Sequence, residues 1–236
     1  EWGVEGAYFT LNPENLITEM PQLTCELGTA TALHWSWVHV YRAIDWGYHD
    51  PAVCIWIAMM PNGRAIPFLE MTWLRETARE VARQIQKASD GMRIVATYAD
   101  STMWDGMKEM GHCLADEFEA EGLALTPAKT DRTAIGFAIQ EQLNQRLPDG
   151  QPRMQFYEPG TPTVIRTLRA MRVDKKRPGR IADHRLDHFP IALGYFCTAA
   201  PGPTQIPNSA SVPRWMMPKP QTRRILGANN VRRRYL

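Results

Sequence analysis

The sequence has no CxxC pair, and its four cysteines, Cys25, Cys54, Cys113 and Cys197, stand far apart. A chain of 236 residues, 44% of them hydrophobic, has material for a core without cross-links, so free thiols in a reducing compartment are expected. No run of about 18 uncharged apolar residues occurs, which argues against a membrane span. The opening Glu1-Trp2-Gly3-Val4-Glu5 lacks the basic start and apolar stretch of a signal peptide, and it lacks an initiating Met, as expected of a processed or excised fragment. There is no GxxxxGK[ST] phosphate loop, so no ATP site is expected in this chain. His184 and His188 have the spacing of a helical zinc pair, but Arg185 stands where a zinc protease needs Glu, which argues against catalytic zinc.

Acids are absent from residues 201–236, which carry seven Lys/Arg. Residues 146–180 hold nine Lys/Arg against three acids, whereas residues 1–60 hold seven acids and one Arg. The net charge of +2 conceals this asymmetry, which suggests a polyanionic partner or an interaction tail; solvated surface charge is the plain alternative.

Residues 1–38, broken by Asn12-Pro13 and Met20-Pro21, show no lasting period and read as a linker. Residues 39–46 then read as a strand ending in Asp45-Trp46-Gly47, and 53–60 as a continuous apolar strand. The turn Pro61-Asn62-Gly63-Arg64 leads to a return strand over 66–73, completing a three-strand meander. Leu74, Ala78, Val81, Ala82 and Ile85 follow a helical period over 74–88. A short strand over 92–99 ends at Asp100, and a helix over 111–122 is followed by a strand over 123–126. Ile135, Ile139 and Leu143 share a face of a helix over 130–147. A short strand over 154–157, a helix over 161–173, a basic turn over 174–181 and a helix over 183–197 complete the pattern. The order predicts an α/β fold: a mixed sheet, meander plus parallel strands, with helices on both faces. The Pro-rich, basic segment 201–236 reads as a tail.

Three acidic positions close or open elements: Asp45, Asp100, and the pair Asp183/Asp187. Acids at neighbouring strand ends would lie a few ångströms apart at the edge where α/β sheets bind ligands. Close carboxylates repel unless a cation intervenes, and hard oxygen ligands suit Mg²⁺ or Mn²⁺. Asp183 and Asp187, four apart, would share a helical face; Asp183 could instead cap the helix. Asp187 would sit inside the helix, where Asp is disfavoured, so metal ligation or a salt bridge to Arg180 or Arg185 would account for it.

In these segments the chain resembles the nuclease domain of the large terminase subunit of tailed bacteriophages, a family with an RNase H-like fold. The resemblance rests on Trp2-Gly3-Val4-Glu5-Gly6-Ala7-Tyr8-Phe9, which looks like the segment leaving the ATPase domain. It rests also on Tyr41-Arg42-Ala43-Ile44-Asp45-Trp46-Gly47, on Thr97-Tyr98-Ala99-Asp100-Ser101, and on Asp183-His184-Arg185-Leu186-Asp187-His188 with Ala192-Leu193-Gly194-Tyr195. His188 departs from the Ala common after the last acid, and Pro190 leaves the helix start open, hence also the choice between Asp183 and Asp187.

The resemblance implies a linker over 1–38, an RNase H-like nuclease domain over 39–200 and a C-terminal tail over 201–236. It implies a two-metal endonuclease that cuts concatemeric double-stranded viral DNA during packaging, with ions about 4 Å apart. Asp45 would bridge both ions, Asp100 and Asp187 would each complete one site, and Asp183 would be an additional ligand. Lys175, Lys176, Arg177 and Arg180 would contact phosphates from a hairpin or loop beside the acids, with Lys129 and the helix Arg166, Arg169 and Arg172 extending that surface. The implied partners, besides DNA, are the ATPase domain, the small terminase subunit and the portal or procapsid, in the cytoplasm of an infected bacterium. Arg223-Arg224 and Arg232-Arg233-Arg234 could serve DNA or the portal. Alternatives are another RNase H-like nuclease, acting on junctions or RNA–DNA hybrids, or a non-catalytic docking module.

Overall fold

In the computed structural model, the described residues are 6–21, 38–106, 112–177, 179–182 and 187–204. Cys25, Asp183, His184, Arg185, the Trp2–Glu5 part of the opening motif and the tail arginines lie outside them. The strands are Leu16–Ile17 (β1), His39–Asp45 (β2), Ala52–Met59 (β3), Ala65–Trp73 (β4), Arg93–Asp100 (β5), Thr126–Ala128 (β6) and Phe156–Tyr157 (β7). The described α-helices are Ala78–Ala88 (α1), Leu114–Glu119 (α2), Arg132–Asn144 (α3), Pro162–Ala170 (α4) and His188–Ala199 (α5).

The main sheet has the order β4-β3-β2-β5-β6. β2, β3 and β4 pair antiparallel as the expected meander, and β5 and β6 extend the sheet in parallel from β2. β3 is buried at all eight positions, which is why its sequence shows an apolar run rather than alternation. Alternation along β2 sorts the core. Tyr41 and Ala43 face a cluster built with Ile135, Leu168 and Leu193, from α3, α4 and α5. Val40 and Ile44 face a second cluster with Val81, Ile85 and Phe118, from α1 and α2. Helices therefore cover both faces, and Asp45, in phase with Tyr41 and Ala43, belongs to the α5 side.

Several boundaries differ from the sequence reading. The helix expected from Leu74 starts at Ala78, because the Thr77 side chain caps it by accepting from the Glu80 amide; Leu74 is left exposed. The helix expected over 111–122 is shorter, and the Asp116 carboxylate accepts from the Cys113 amide at its start. The strand expected over 123–126 lies at Thr126–Ala128, and β7 pairs with β1 in a separate two-stranded sheet. Residues 6–21, read as part of a linker, pack against the body: Tyr8 and Phe9 are buried, and Asn15 donates to the carbonyls of Leu143 and Met154. Cys54, Cys113 and Cys197 are free, as expected, and all three are buried.

The last helix carries the main correction. It starts at His188, so Asp187 occupies its N-cap position rather than its interior. Pro190 explains this. In a helix begun at Asp183 it would sit in the interior, where a missing N–H and a ring clash cost about 3 kcal/mol; three residues past Asp187 it falls in the first turn, whose amides have no partner anyway. Every residue from Phe189 to Cys197 is buried, as befits a helix wedged between the sheet, α3 and α4. Gly194 allows the approach of α3: a Cβ there would lie 2.3 Å from Ile135 Cγ2.

Candidate functional site

Parallel pairing of β2 with β5 aligns Ile44 with Ala99, so the next residues, Asp45 and Asp100, stand side by side at the carboxyl ends of their strands. β6 continues the row: Ala128 aligns with Asp100, and exposed Lys129 follows it. This is the edge at which open α/β sheets bind ligands.

Side chains from α5 meet the acids there. The Tyr195 hydroxyl lies 3.1 Å from Asp45 Oδ1 and 3.1 Å from Asp100 Oδ2. A phenol has one proton, so it donates to one carboxylate at a time and the two acids share it. The other Asp100 oxygen, Oδ1, accepts from the Thr102 amide at 2.7 Å, which ties that carboxylate to the turn over Ser101–Trp104. The other Asp45 oxygen, Oδ2, lies 2.8 Å from His188 Nδ1, whose N–H donates to the ionised carboxylate.

The electrostatics follow from burial. Desolvation pushes the Asp45 carboxyl above its ordinary value, as does the nearby Asp100 charge, against the lowering contacts of His188 and Tyr195. The His188 imidazole is raised, chiefly by its bond to Asp45. Burial, then the two carboxylates, push the Tyr195 phenol far upward, so it remains a neutral donor.

Asp187 is elsewhere engaged. It is 6% exposed, and its Oδ2 accepts from Arg132 Nη1 at 2.6 Å. Its side chain makes no cap hydrogen bond to its own helix. The structure thus brings Asp45 and Asp100 together, while Asp187 lies one residue from His188 on the α3 side. Among the described residues no group of three or more His, Cys, Asp or Glu is arranged to hold a metal ion. The donor chemistry of the Asp45–Asp100 pair nonetheless fits a hard divalent cation: two carboxylates at a partly buried edge, one disfavoured as an anion by its surroundings.

The basic turn is a hairpin. Val173 bridges Ile181 antiparallel, the Asp174 amide donates to the Arg180 carbonyl, and the Asp174 carboxylate accepts from the Lys176 amide. Lys175, Lys176 and Arg177 are exposed, Arg180 is half-buried, and a groove of about 510 Å³ runs along them. Gly6–Tyr8 backs the hairpin through the Val173 amide on the Gly6 carbonyl and the Tyr8 hydroxyl on the Gly179 carbonyl. Arg166 and Arg169 are exposed on α4, whereas Arg172 turns back onto backbone carbonyls of its own segment.

Sequence reasoning missed His188, Tyr195 and Arg132 as site residues. His188 and Tyr195 are seven apart, two turns along one helical face, and that spacing is the signal that both would meet the same neighbour, here Asp45. Arg132 had no such signal, because its meeting with Asp187 depends on how α3 crosses α5.

No family model matches the chain, and no curated protein matches its sequence. Solved structures do match its fold. The large terminase of a thermophilic bacteriophage aligns with a TM-score of 0.62 at 14% identity, over 84% of this chain and 44% of that one. The P22 large terminase nuclease domain gives 0.60 at 12% identity, over 85% of this chain and 95% of that one. The large terminase nuclease of another thermophilic phage, G20c, with bound cobalt gives 0.53 at 15% identity, over 83% and 98%. The chain thus spans less than half the length of the first of these three proteins. At such identities the likeness is one of fold: the mixed sheet and its helices form the RNase H-like arrangement of these nuclease domains.

Proposed function

We propose that this chain is the nuclease portion of a large terminase subunit, an endonuclease that cuts concatemeric double-stranded viral DNA during genome packaging. The observation that carries this reading is the pairing of Asp45 and Asp100 at adjacent parallel strand ends, both 3.1 Å from one hydroxyl. The fold shared with the longer large terminase and with the P22 domain supports it, and the cobalt bound by the G20c nuclease supports a need for divalent metal. Asp45 and Asp100 would hold Mg²⁺ or Mn²⁺, with Asp187 or Asp183 as the further carboxylate. Two such ions, when bound, supply an activated water for in-line attack on the phosphodiester and charge stabilisation for the leaving 3′ oxygen.

The chain's own residues set the geometry. Tyr195 holds the two carboxylates at a fixed separation, and His188 orients Asp45 and offsets its charge. Arg132 keeps Asp187 at the start of α5. Lys175, Lys176, Arg177 and Arg180, with Lys129 on the sheet edge, attract the phosphates that the acids would otherwise repel. Contacts to phosphate alone read no base edge. On this reading, an ATPase portion lies elsewhere in the subunit, the small terminase subunit and the portal or procapsid are partners, and the work is done in the host cytoplasm.

The test is supercoiled plasmid incubated with the chain in Mg²⁺, in Mn²⁺ and in EDTA, beside an Asp45→Ala variant shown to be folded. Metal-dependent nicking and linearisation, lost in the variant, is the expected result. Preferential cutting of four-way junctions or RNA–DNA hybrids would assign a different RNase H-like nuclease. Cleavage that persists without Asp45 would refute the site.

A further inference from the structure

Phe137 lies on α3, whose Ile135, Ile139 and Leu143 are fully or almost fully buried against the core. Position 137 is on the opposite side of that helix, where the amphipathic pattern calls for a polar residue. It is instead the most exposed of the large apolar side chains among the described residues, at 61%. Its ring does not face open solvent alone. A Cβ added at Gly179 would lie 3.5 Å from the ring, so the aromatic stands against the basic hairpin. Val173, on the first arm of the hairpin, is also exposed, at 38%. The ring thus stands against Gly179 of the hairpin whose groove is lined by Lys175, Lys176, Arg177 and Arg180, and the hairpin's one acid, Asp174, accepts a backbone amide within the turn.

That combination has a definite chemistry. Cations alone suit any polyanion. An aromatic among them suits one whose charges alternate with flat apolar surface, which describes nucleic acid. On duplex DNA, apolar wedges enter the minor groove and part a base step while Lys and Arg grip the flanking phosphates. The location adds to the argument. Arg132, which binds Asp187, begins α3, and Phe137 follows five residues later, about 7.5 Å along the axis.

We infer that Phe137 and the basic hairpin it stands against form a surface that deforms duplex DNA: the hairpin cations hold the backbone while the ring parts a base step between the phosphates they grip. This rests on the nuclease reading and deepens it, because deformation makes easily unstacked pyrimidine–purine steps the favoured cutting positions without any base-edge contact.

The experiment uses the full chain with short duplexes carrying one 2-aminopurine, in Ca²⁺ so that the DNA stays intact, with affinity measured at several salt concentrations. Binding by the unsubstituted chain should raise 2-aminopurine fluorescence several-fold through unstacking. Phe137→Gln should abolish that rise while lowering affinity by no more than about tenfold and leaving the salt slope unchanged. Phe137→Leu, still apolar, should keep part of the rise. Lys175→Ala with Lys176→Ala should reduce the log–log salt slope by about 1.8, the value for two lost phosphate contacts. Position 137 is exposed, so thermal unfolding of its variants should match the parent. Binding without unstacking, or full unstacking by Phe137→Gln, overturns the inference and leaves the nuclease reading intact if plasmid is still cut. A chain that neither binds duplex nor cuts plasmid overturns both.

Discussion

Tyr195→Phe removes one oxygen and leaves the ring, so it tests the shared proton at the sheet edge without opening a cavity. The hydroxyl is 3.1 Å from each carboxylate, and the residue is 1% exposed, so water cannot readily replace it. Having one proton, the hydroxyl contributes one charge-assisted hydrogen bond and not two, which sets the loss at about 2 kcal/mol. In a chain of this size that lowers the melting temperature by about 4–8 °C. The loss should be read from urea unfolding without metal at neutral pH, with Tyr48→Phe, at 48% exposure, as the silent control. A second readout separates the acids from general packing. Without the hydroxyl, Asp45 loses one of the two side chains that hydrogen-bond its carboxylate and keeps His188. Its carboxyl therefore titrates at a higher pH in Tyr195→Phe than in the parent, measurable by side-chain NMR. An unchanged urea midpoint together with an unchanged Asp45 titration would refute the idea that this hydroxyl organises the pair.

Three further outcomes follow from the same geometry. His188 is raised above 6.5 by Asp45, so it stabilises the fold below that value and ceases to as pH climbs through its folded value; Asp45 is raised above 3.8, so the native state holds its proton longer than the unfolded chain and stability again falls with rising pH. Through His188, urea midpoints should therefore decline as pH rises above about 6.5, with a flatter profile in His188→Gln; a rising profile there would contradict the His188 shift. Gly194→Ala forces a methyl to within 2.3 Å of Ile135 Cγ2 and should cost about 1–3 kcal/mol in the same assay, with Ile135→Ala, which removes Cγ2, relieving the clash. Arg132→Ala takes from buried Asp187 its 2.6 Å cationic partner and should cost about 1–3 kcal/mol, less with Lys at 132; a neutral effect would mean that Asp187 has other sufficient support.

The parts of this molecule that are legible in the sequence are those governed by local pattern. The meander can be read because an Asn-Gly turn joins two apolar runs, and because β3, buried on both faces, cannot alternate. Asp45 and Asp100 can be paired in advance because both end apolar strands, and parallel neighbours in register present their ends together. The hairpin can be anticipated from Pro178-Gly179 inside a cluster of cations. What escapes depends on distances no local pattern encodes. β1 and β7, two residues each, carry too little sequence to show a period. The meeting of Arg132 with Asp187 spans 55 residues and depends on how α3 crosses α5, whose close approach at Ile135 Gly194 permits.

The start of α5 lies between these two cases, since the residue that decides it, Pro190, stands in plain view in the sequence. Pro190 forces the helix to begin within three residues of it, which moves Asp187 from the helix interior to the N-cap. With Asp187 at the cap, the position that Asp favours, helix propensity alone accounts for an Asp there. His188 stands at the first helical position and Tyr195 two turns later, both against Asp45. Pro190 thus sets where the helix begins, while the seven-residue spacing of His188 and Tyr195 sets both on the one face that reaches the Asp45 carboxylate.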